Sequence, residues 1–348
     1  MQKIKFETDY QEGAHPKILE RLLAANLEQT SGYGVDVHCE NAKNLIRKVI
    51  DKSDAEIFFT VGGTQTNTIA IKFFLNPCEG VISVNSGHIN VHESGAIEAT
   101  GHKVITLPHH NGLMDAADLK NYLEAFYKNP TREHMTPPGM VYISYSSEYG
   151  TLYSKEMLTK IKAVCGEYNL KLFIDGARLG AGLVSEAADM NIKDFANLCD
   201  AFYIGGTKNG ALFGEALVFP NPEKLNLRLM KTLVKQQGGL LAKGRLLGLQ
   251  FEVLFEDNLY FEIARHADKQ AMKIKKAFTD AGIPFLFESF TNQQFPILTT
   301  QQHEKLSSEF DYEIWEPLEN NKTAVRFVTS WATTDDNIDK LVMAIKSL

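Results

Sequence analysis

Seven short runs of β-branched and aromatic residues alternate with helical patterns between residues 50 and 220, and no other feature restricts the fold so tightly. The runs are 56–61, 81–84, 103–107, 140–145, 170–174, 201–204 and 216–219. Each is apolar nearly throughout instead of alternating, as strands are when a mostly parallel sheet is covered on both faces. Helical patterns such as 119–129 and 155–168 lie between them, which defines an α/β domain. In such sheets ligands bind beyond the carboxyl ends of the strands, so residues just after each run matter most for chemistry.

The 348 residues are enough for more than one packed unit. Residues 222–282 read as long amphipathic helices, broken at Gly238-Gly239 and closed by Gly282-Ile283-Pro284. Runs 285–287, 294–298, 312–315 and 324–330 read as strands, and a helix follows from Asp335. The expected division is a large domain with its N-terminal segment over 1–240 and a smaller α+β domain over 241–348. Lys and Arg number 36 against 43 Asp and Glu, a net charge of -7. That balance argues against a nucleic-acid binder, which normally carries a basic stripe. No stretch approaches the roughly 20 apolar residues of a membrane span, and the N-terminus lacks a signal peptide's apolar core. Cys39, Cys78, Cys165 and Cys199 are scattered. They suggest neither a disulfide framework nor a zinc site, and a reducing cytoplasm is the expected location.

Three motifs follow strand ends. The first is Thr-Val-Gly-Gly-Thr-Gln-Thr-Asn at 60–67, opening a helical pattern over 64–75. Glycines admit an anion close to the backbone, and helix-start N–H groups favour negative charge; the alternative is a plain N-cap turn using Thr64. It is neither GxGxxG nor GxxxxGK[ST]. The second places Asp175 at a strand end with Arg178 three residues on, and the alternative is a local ion pair or cap. The third sets Lys208 among glycines past the run 201–204. A lysine there becomes a nucleophile toward carbonyls once burial or nearby cations lower its pKa, and the alternative is an exposed loop lysine. An anion-binding helix start, then an aspartate, then a lysine is the order of a pyridoxal-phosphate enzyme. The lysine forms the Schiff base, the aspartate pairs with the pyridinium nitrogen and the loop holds phosphate. A fourth motif, residues 86–95, holds His88 and His92 four apart, with Glu93 beside them. It is not HExxH and names no third ligand, so metal is not expected; a ring here could instead stack on the cofactor.

In combination these motifs resemble the threonine aldolase family of the β-eliminating lyases, fold-type-I pyridoxal-phosphate enzymes. The resemblance runs from Thr8-Asp9 to Trp331 and includes Gly32-Tyr33-Gly34 and the segment 325–330 around Arg326. It implies a fold-type-I, transferase-like α/β architecture, with a mostly parallel seven-stranded sheet and a smaller C-terminal domain. It also implies bound pyridoxal 5'-phosphate, with Lys208 as Schiff-base lysine, Asp175 as pyridinium partner and His88 stacked on the ring. Gly63 and Thr64 would hold phosphate; Thr8, Arg178 and Arg326 would hold a substrate carboxylate, with Tyr33 near the active site. The implied reaction cleaves L-threonine or L-allo-threonine to glycine and an aldehyde, in a homotetramer built from dimers. Two positions depart from the family pattern: Thr8 replaces serine, and Glu148 stands where many members carry a histidine that touches the substrate hydroxyl. The rival readings are transamination, β-elimination, or a catalytically silent binding protein. The joint presence of Lys208, Asp175 and the Gly/Thr loop argues against the last.

Overall fold

A computed structural model describes residues 3–223 and 225–348. Met1 and Gln2, where the segment read for a signal peptide begins, and Lys224 lie outside the described residues. All seven expected runs form strands of one sheet: β1 (Glu56–Thr60), β2 (Gly80–Val84), β3 (Lys103–Leu107), β4 (Pro138–Ser144), β5 (Lys171–Asp175), β6 (Ala201–Gly205) and β7 (Glu215–Phe219). Their order is β1-β7-β6-β5-β4-β2-β3. β7 alone runs opposite to the other six strands, so the sheet is mostly parallel as expected.

Alternate side chains supply two cores, one on each face of the sheet. Ile82, Ile143, Leu172, Ile174 and Phe202 pack on one face. Val81, Tyr142, Phe173, Tyr203 and Leu217 pack on the other, against Ile69–Ile71 of the helix Gly63–Phe74. The same parity puts Asp175, two residues past Phe173, on the Tyr142 and Tyr203 face at the sheet's carboxyl edge. Burying both faces is what makes these strands apolar throughout.

The helix Arg245–Phe255 and the first turns of Leu259–Asp280 add Leu247, Phe251, Tyr260 and Ile263 to the first core. Further along, that same 22-residue helix gives Ile274 and Phe278 to a third core with Phe6, Leu298, Phe327 and Leu341. A small antiparallel sheet built on Lys322–Val328 pairs with Ile297–Thr299, Glu313–Leu318 and Gln293–Gln294. Run 285–287 is a correction to the sequence reading, because it forms no strand. Phe285 makes one isolated bridge to Pro296, while the Phe287 ring stacks on Tyr149 with centroids 3.9 Å apart. Its apolar character serves ring packing instead of a ladder. Among the described residues no helix is long and apolar enough to cross a membrane.

Candidate active site

At the carboxyl edge of the sheet a cavity of about 270 Å³ is lined by Gly63, Thr64, His88, Glu148, Asp175, Arg178 and Lys208. Seven of the ten site residues read from the sequence therefore meet in one place. The helix Gly63–Phe74 starts behind Gly62, which is extended and makes no side-chain cap bond. Thr64 is thus inside the helix, not its cap, and the first N–H groups lack a side-chain acceptor. An uncapped helix start facing a cavity is ready for an anion. Residue 63 must also be small, since a Cβ there would stand 3.0 Å from the Tyr203 hydroxyl.

Asp175 ends β5 and is 4% exposed. Every neighbour that bonds it is a donor. The Ala177 N–H donates to Oδ1 at 2.9 Å; the Tyr142 hydroxyl and Asn67 Nδ2 donate to Oδ2 at 2.6 and 3.1 Å. Burial, then the Asp175 charge, push the Tyr142 and Tyr203 phenols far above their usual range, so both remain neutral donors. These bonds fix the carboxylate's direction before anything binds.

Lys208 lies just past β6, its amine 5.9 Å from the Tyr10 ring centroid. Burial, then the nearby Arg178 guanidinium, push its amine below the usual lysine range, against the pull of Asp9 and Asp175. No acidic oxygen among the described residues lies within 4.0 Å of it. That is the environment of a nucleophilic amine.

Arg178 donates through Nε and Nη2 to Asp9 at 2.7 and 3.1 Å. Burial would raise the Asp9 carboxyl, but Arg178, Lys208 and an Asn292 hydrogen bond hold it below its usual range. The pair aims the guanidinium from the N-terminal segment. Neither Arg326 nor Thr8 lines the cavity. Arg326 donates to Gln293 at 3.0 Å, pairs with Glu313 and covers the Trp315 ring. Burial, then the Arg178 charge, push its pKa down. The Thr8 hydroxyl, next to Asp9, is buried without a partner.

His88 and Glu148 meet on the cavity's other side. The His88 Nδ1 lies 2.8 Å from Glu93 Oε1, which also accepts from Asn67 at 2.7 Å. Burial would lower the imidazole, but the Glu93 bond and the Asp175 charge outweigh it, so His88 stays protonated above the usual histidine range. Glu148 Oε1 accepts from the His88 backbone N–H at 2.9 Å and the Ser144 hydroxyl at 2.6 Å. Its Oε2 is buried and unpartnered. Burial raises this carboxyl despite the Ser144 bond, the direction that suits proton exchange near neutrality.

Tyr33 is not brought to this cavity. It is 51% exposed, has a positive φ of 61° and lies under the Lys235 amine, 5.1 Å from the ring centroid. With Val35 and Lys231 it lines a separate cavity of about 400 Å³. The sequence reading gave no role to Tyr142, Tyr203 or Glu215, nor to Asp9 as partner of Arg178. The two tyrosines carried a usable signal: hydroxyls in otherwise apolar strands, on the parity of the strand-end aspartate.

The family profile for β-eliminating lyases matches residues 5–301. The chain belongs to this family. At 28% identity it is similar, over 100% of its length and 98% of the other's, to a low specificity L-threonine aldolase of Pseudomonas sp. strain NCIMB 10558. It superposes on a solved threonine aldolase of Leishmania major with a TM-score of 0.94, at 44% identity and 99% coverage of both chains. An aspartate aminotransferase variant of Thermus thermophilus superposes with a TM-score of 0.72 at 14% identity, covering 99% of this chain and 91% of that one. That likeness is one of fold, the fold-type-I architecture expected from the sequence.

Proposed function

We propose that this protein is a pyridoxal-phosphate-dependent aldehyde-lyase that cleaves L-threonine or L-allo-threonine to glycine and acetaldehyde. One observation carries the reading: a single cavity joins an uncapped helix start, an acceptor-only aspartate, a lysine of lowered pKa and a paired arginine. These residues fit a group bearing a phosphate, a ring nitrogen and a carbonyl. The similarity to threonine aldolases supports the choice among the reactions that such a cavity serves.

When bound, pyridoxal phosphate supplies an electron-accepting ring; the chain supplies everything that orients and protonates. Gly63 and Thr64 offer helix-start N–H groups to the phosphate. Lys208 would offer an amine to the carbonyl, and Asp175 would offer a fixed negative charge to the ring nitrogen. His88, on the cavity wall, would offer its ring face to the cofactor ring. Arg178 takes the substrate carboxylate, with Arg326 and the Thr8 hydroxyl completing that end. Glu148, with a free oxygen, takes the proton from the β-hydroxyl, directly or through water. The protein works in the cytoplasm as a homotetramer, and its four unpaired cysteines are consistent with a reducing compartment. The exposure of Tyr33 beside exposed Val35 and Val37 supports a role for this tyrosine at a neighbouring subunit's site.

The protein is expected to convert L-threonine or L-allo-threonine to glycine and acetaldehyde with no added keto acid. Product that appears only with a keto acid would identify a transaminase, and ammonia plus a keto acid without glycine a β-eliminating lyase. Glu148→Gln should slow that cleavage about a hundredfold, the scale of one general base. Exchange of glycine's α-proton with solvent should fall far less, because exchange involves no β-hydroxyl; equal losses in both would remove Glu148 from this role. Asp9→Asn weakens the grip on Arg178, so KM should rise about tenfold, as for a weakened charged hydrogen bond, with kcat less affected. An unchanged KM would mean that Asp9 does not set the arginine's aim.

A further inference from the structure

Glu215 opens β7 directly after Gly214, in register with Gly205 of β6 and Thr60 of β1. Its carboxyl is thereby carried to the same sheet edge as the proposed catalytic groups, where it lines their cavity while being only 4% exposed. Nothing in the proposed reaction uses it. A carboxyl buried in an active cavity without a reacting partner is costly unless it holds something in place.

What it holds is the backbone just before Lys208. Glu215 Oε2 accepts the Gly206 N–H at 3.0 Å, and Oε1 accepts the Thr207 hydroxyl at 2.9 Å. The Gly206 N–H is shared with the Gly214 carbonyl, also at 3.0 Å. The approach is so close that a Cβ on Gly206 would stand 2.7 Å from that carbonyl oxygen. On the other side of the lysine, Asn209 Nδ2 donates to the Tyr260 carbonyl at 2.8 Å. Lys208 is thus gripped on both sides, and the grip on its leading side is a titratable one.

The geometry points to Glu215 as a positioning residue for Lys208: its carboxyl clamps the two residues before the lysine and acts on the charge of the lysine nitrogen from within the same cavity. This rests on the reading of Lys208 as the cofactor-binding lysine. Burial pushes the Glu215 carboxyl up to about 8, against the pull of the Thr207 and Gly206 bonds and the Lys208 charge, while the Asp175 charge adds to the rise. Below that pH it is mostly neutral, and above it a negative charge shares the cavity with the lysine nitrogen and raises its pKa. A negative charge favours the protonated nitrogen. The ionised Glu215 therefore delays loss of that nitrogen's proton as pH rises, and a neutral replacement advances it.

The test uses the holoprotein, prepared with pyridoxal phosphate. The pH dependence of the bound cofactor's visible absorbance and the rate at which cofactor leaves on dilution are recorded for the parent, Glu215→Gln and Glu215→Asp. In Glu215→Gln the absorbance step should move to lower pH by about half a unit or more. Above about pH 8 cofactor should leave about fivefold faster, because a neutral amide holds the Gly206 N–H and the Thr207 hydroxyl less strongly than a carboxylate does. Glu215→Asp keeps the charge on a shorter arm, so its step should return toward the parent's while cofactor still leaves faster. A Gln variant that matches the parent in both step and rate overturns the inference and leaves the cofactor reading standing. A parent protein that acquires no visible band with pyridoxal phosphate overturns both. Should Glu215→Gln fail to fold, Glu215→Asp decides: an unchanged rate of cofactor loss overturns the clamp.

Discussion

Lys208→Ala is expected to lower turnover of L-threonine by at least about four orders of magnitude, the scale of removing a group that acts covalently. The expectation has a physical basis separate from family likeness. Lys208 lies between two clamped segments, in a cavity shared with Asp175 and Arg178, and has no acidic oxygen within 4.0 Å among the described residues. A buried lysine without such a partner costs stability, a cost that its chemistry explains but does not remove. Truncation should therefore leave the fold intact or slightly stabilised, which thermal melting of the variant checks. Borohydride reduction of the parent with pyridoxal phosphate, followed by peptide mapping, should place the label on Lys208. A label on another lysine, or a folded Lys208→Ala protein that keeps turnover within about a hundredfold of the parent's, overturns the assignment.

How much of this was legible in the sequence depended on whether the signal was local. All seven sheet strands were readable because burial on both faces demands apolar runs, and no other use of the chain produces seven of them between helices. Residues at strand ends, Asp175 and Lys208 among them, were readable for the same reason: the sheet itself tells which edge carries chemistry. The helix Val37–Ile50 was not read, although Asp36 caps it through a bond from the Cys39 N–H. Its buried residues Cys39, Ala42, Ile46 and Ile50 recur at helical spacing with only His38 polar among them, so a local signal for it was present. Run 285–287 misled because ring stacking and strand pairing draw on the same residues. The site's long-range contacts were out of reach altogether. Asp9 meets Arg178 across 169 positions and Asn67 meets Asp175 across 108, and no spacing rule connects residues so far apart. Glu215 sits seven residues past Lys208, yet its use follows only from the antiparallel return of β7 beside β6.

The second large effect should come from Asp175→Asn, and the hydrogen bonds around the carboxylate say why so slight a change matters. The Ala177 N–H, the Tyr142 hydroxyl and Asn67 Nδ2 all donate to it. A carboxylate accepts at both oxygens, whereas an amide accepts at one and donates at the other. Whichever way the substituted amide turns, its NH₂ faces a donor, and one bond gives way to an unfavourable contact. That should cost about 1–3 kcal/mol of folding stability, measurable as a lower denaturant midpoint. The larger loss is catalytic. Removing one fixed charge aimed at the reacting system should lower kcat by roughly 10²- to 10³-fold at saturating pyridoxal phosphate, with cofactor still bound but more weakly. If the same lattice of donors merely supports the fold, the Asn variant will melt earlier yet turn over at near the parent rate. The kcat of a folded, cofactor-saturated Asp175→Asn protein separates the two roles: near-normal turnover would show that this carboxylate holds the structure together but does not drive the chemistry.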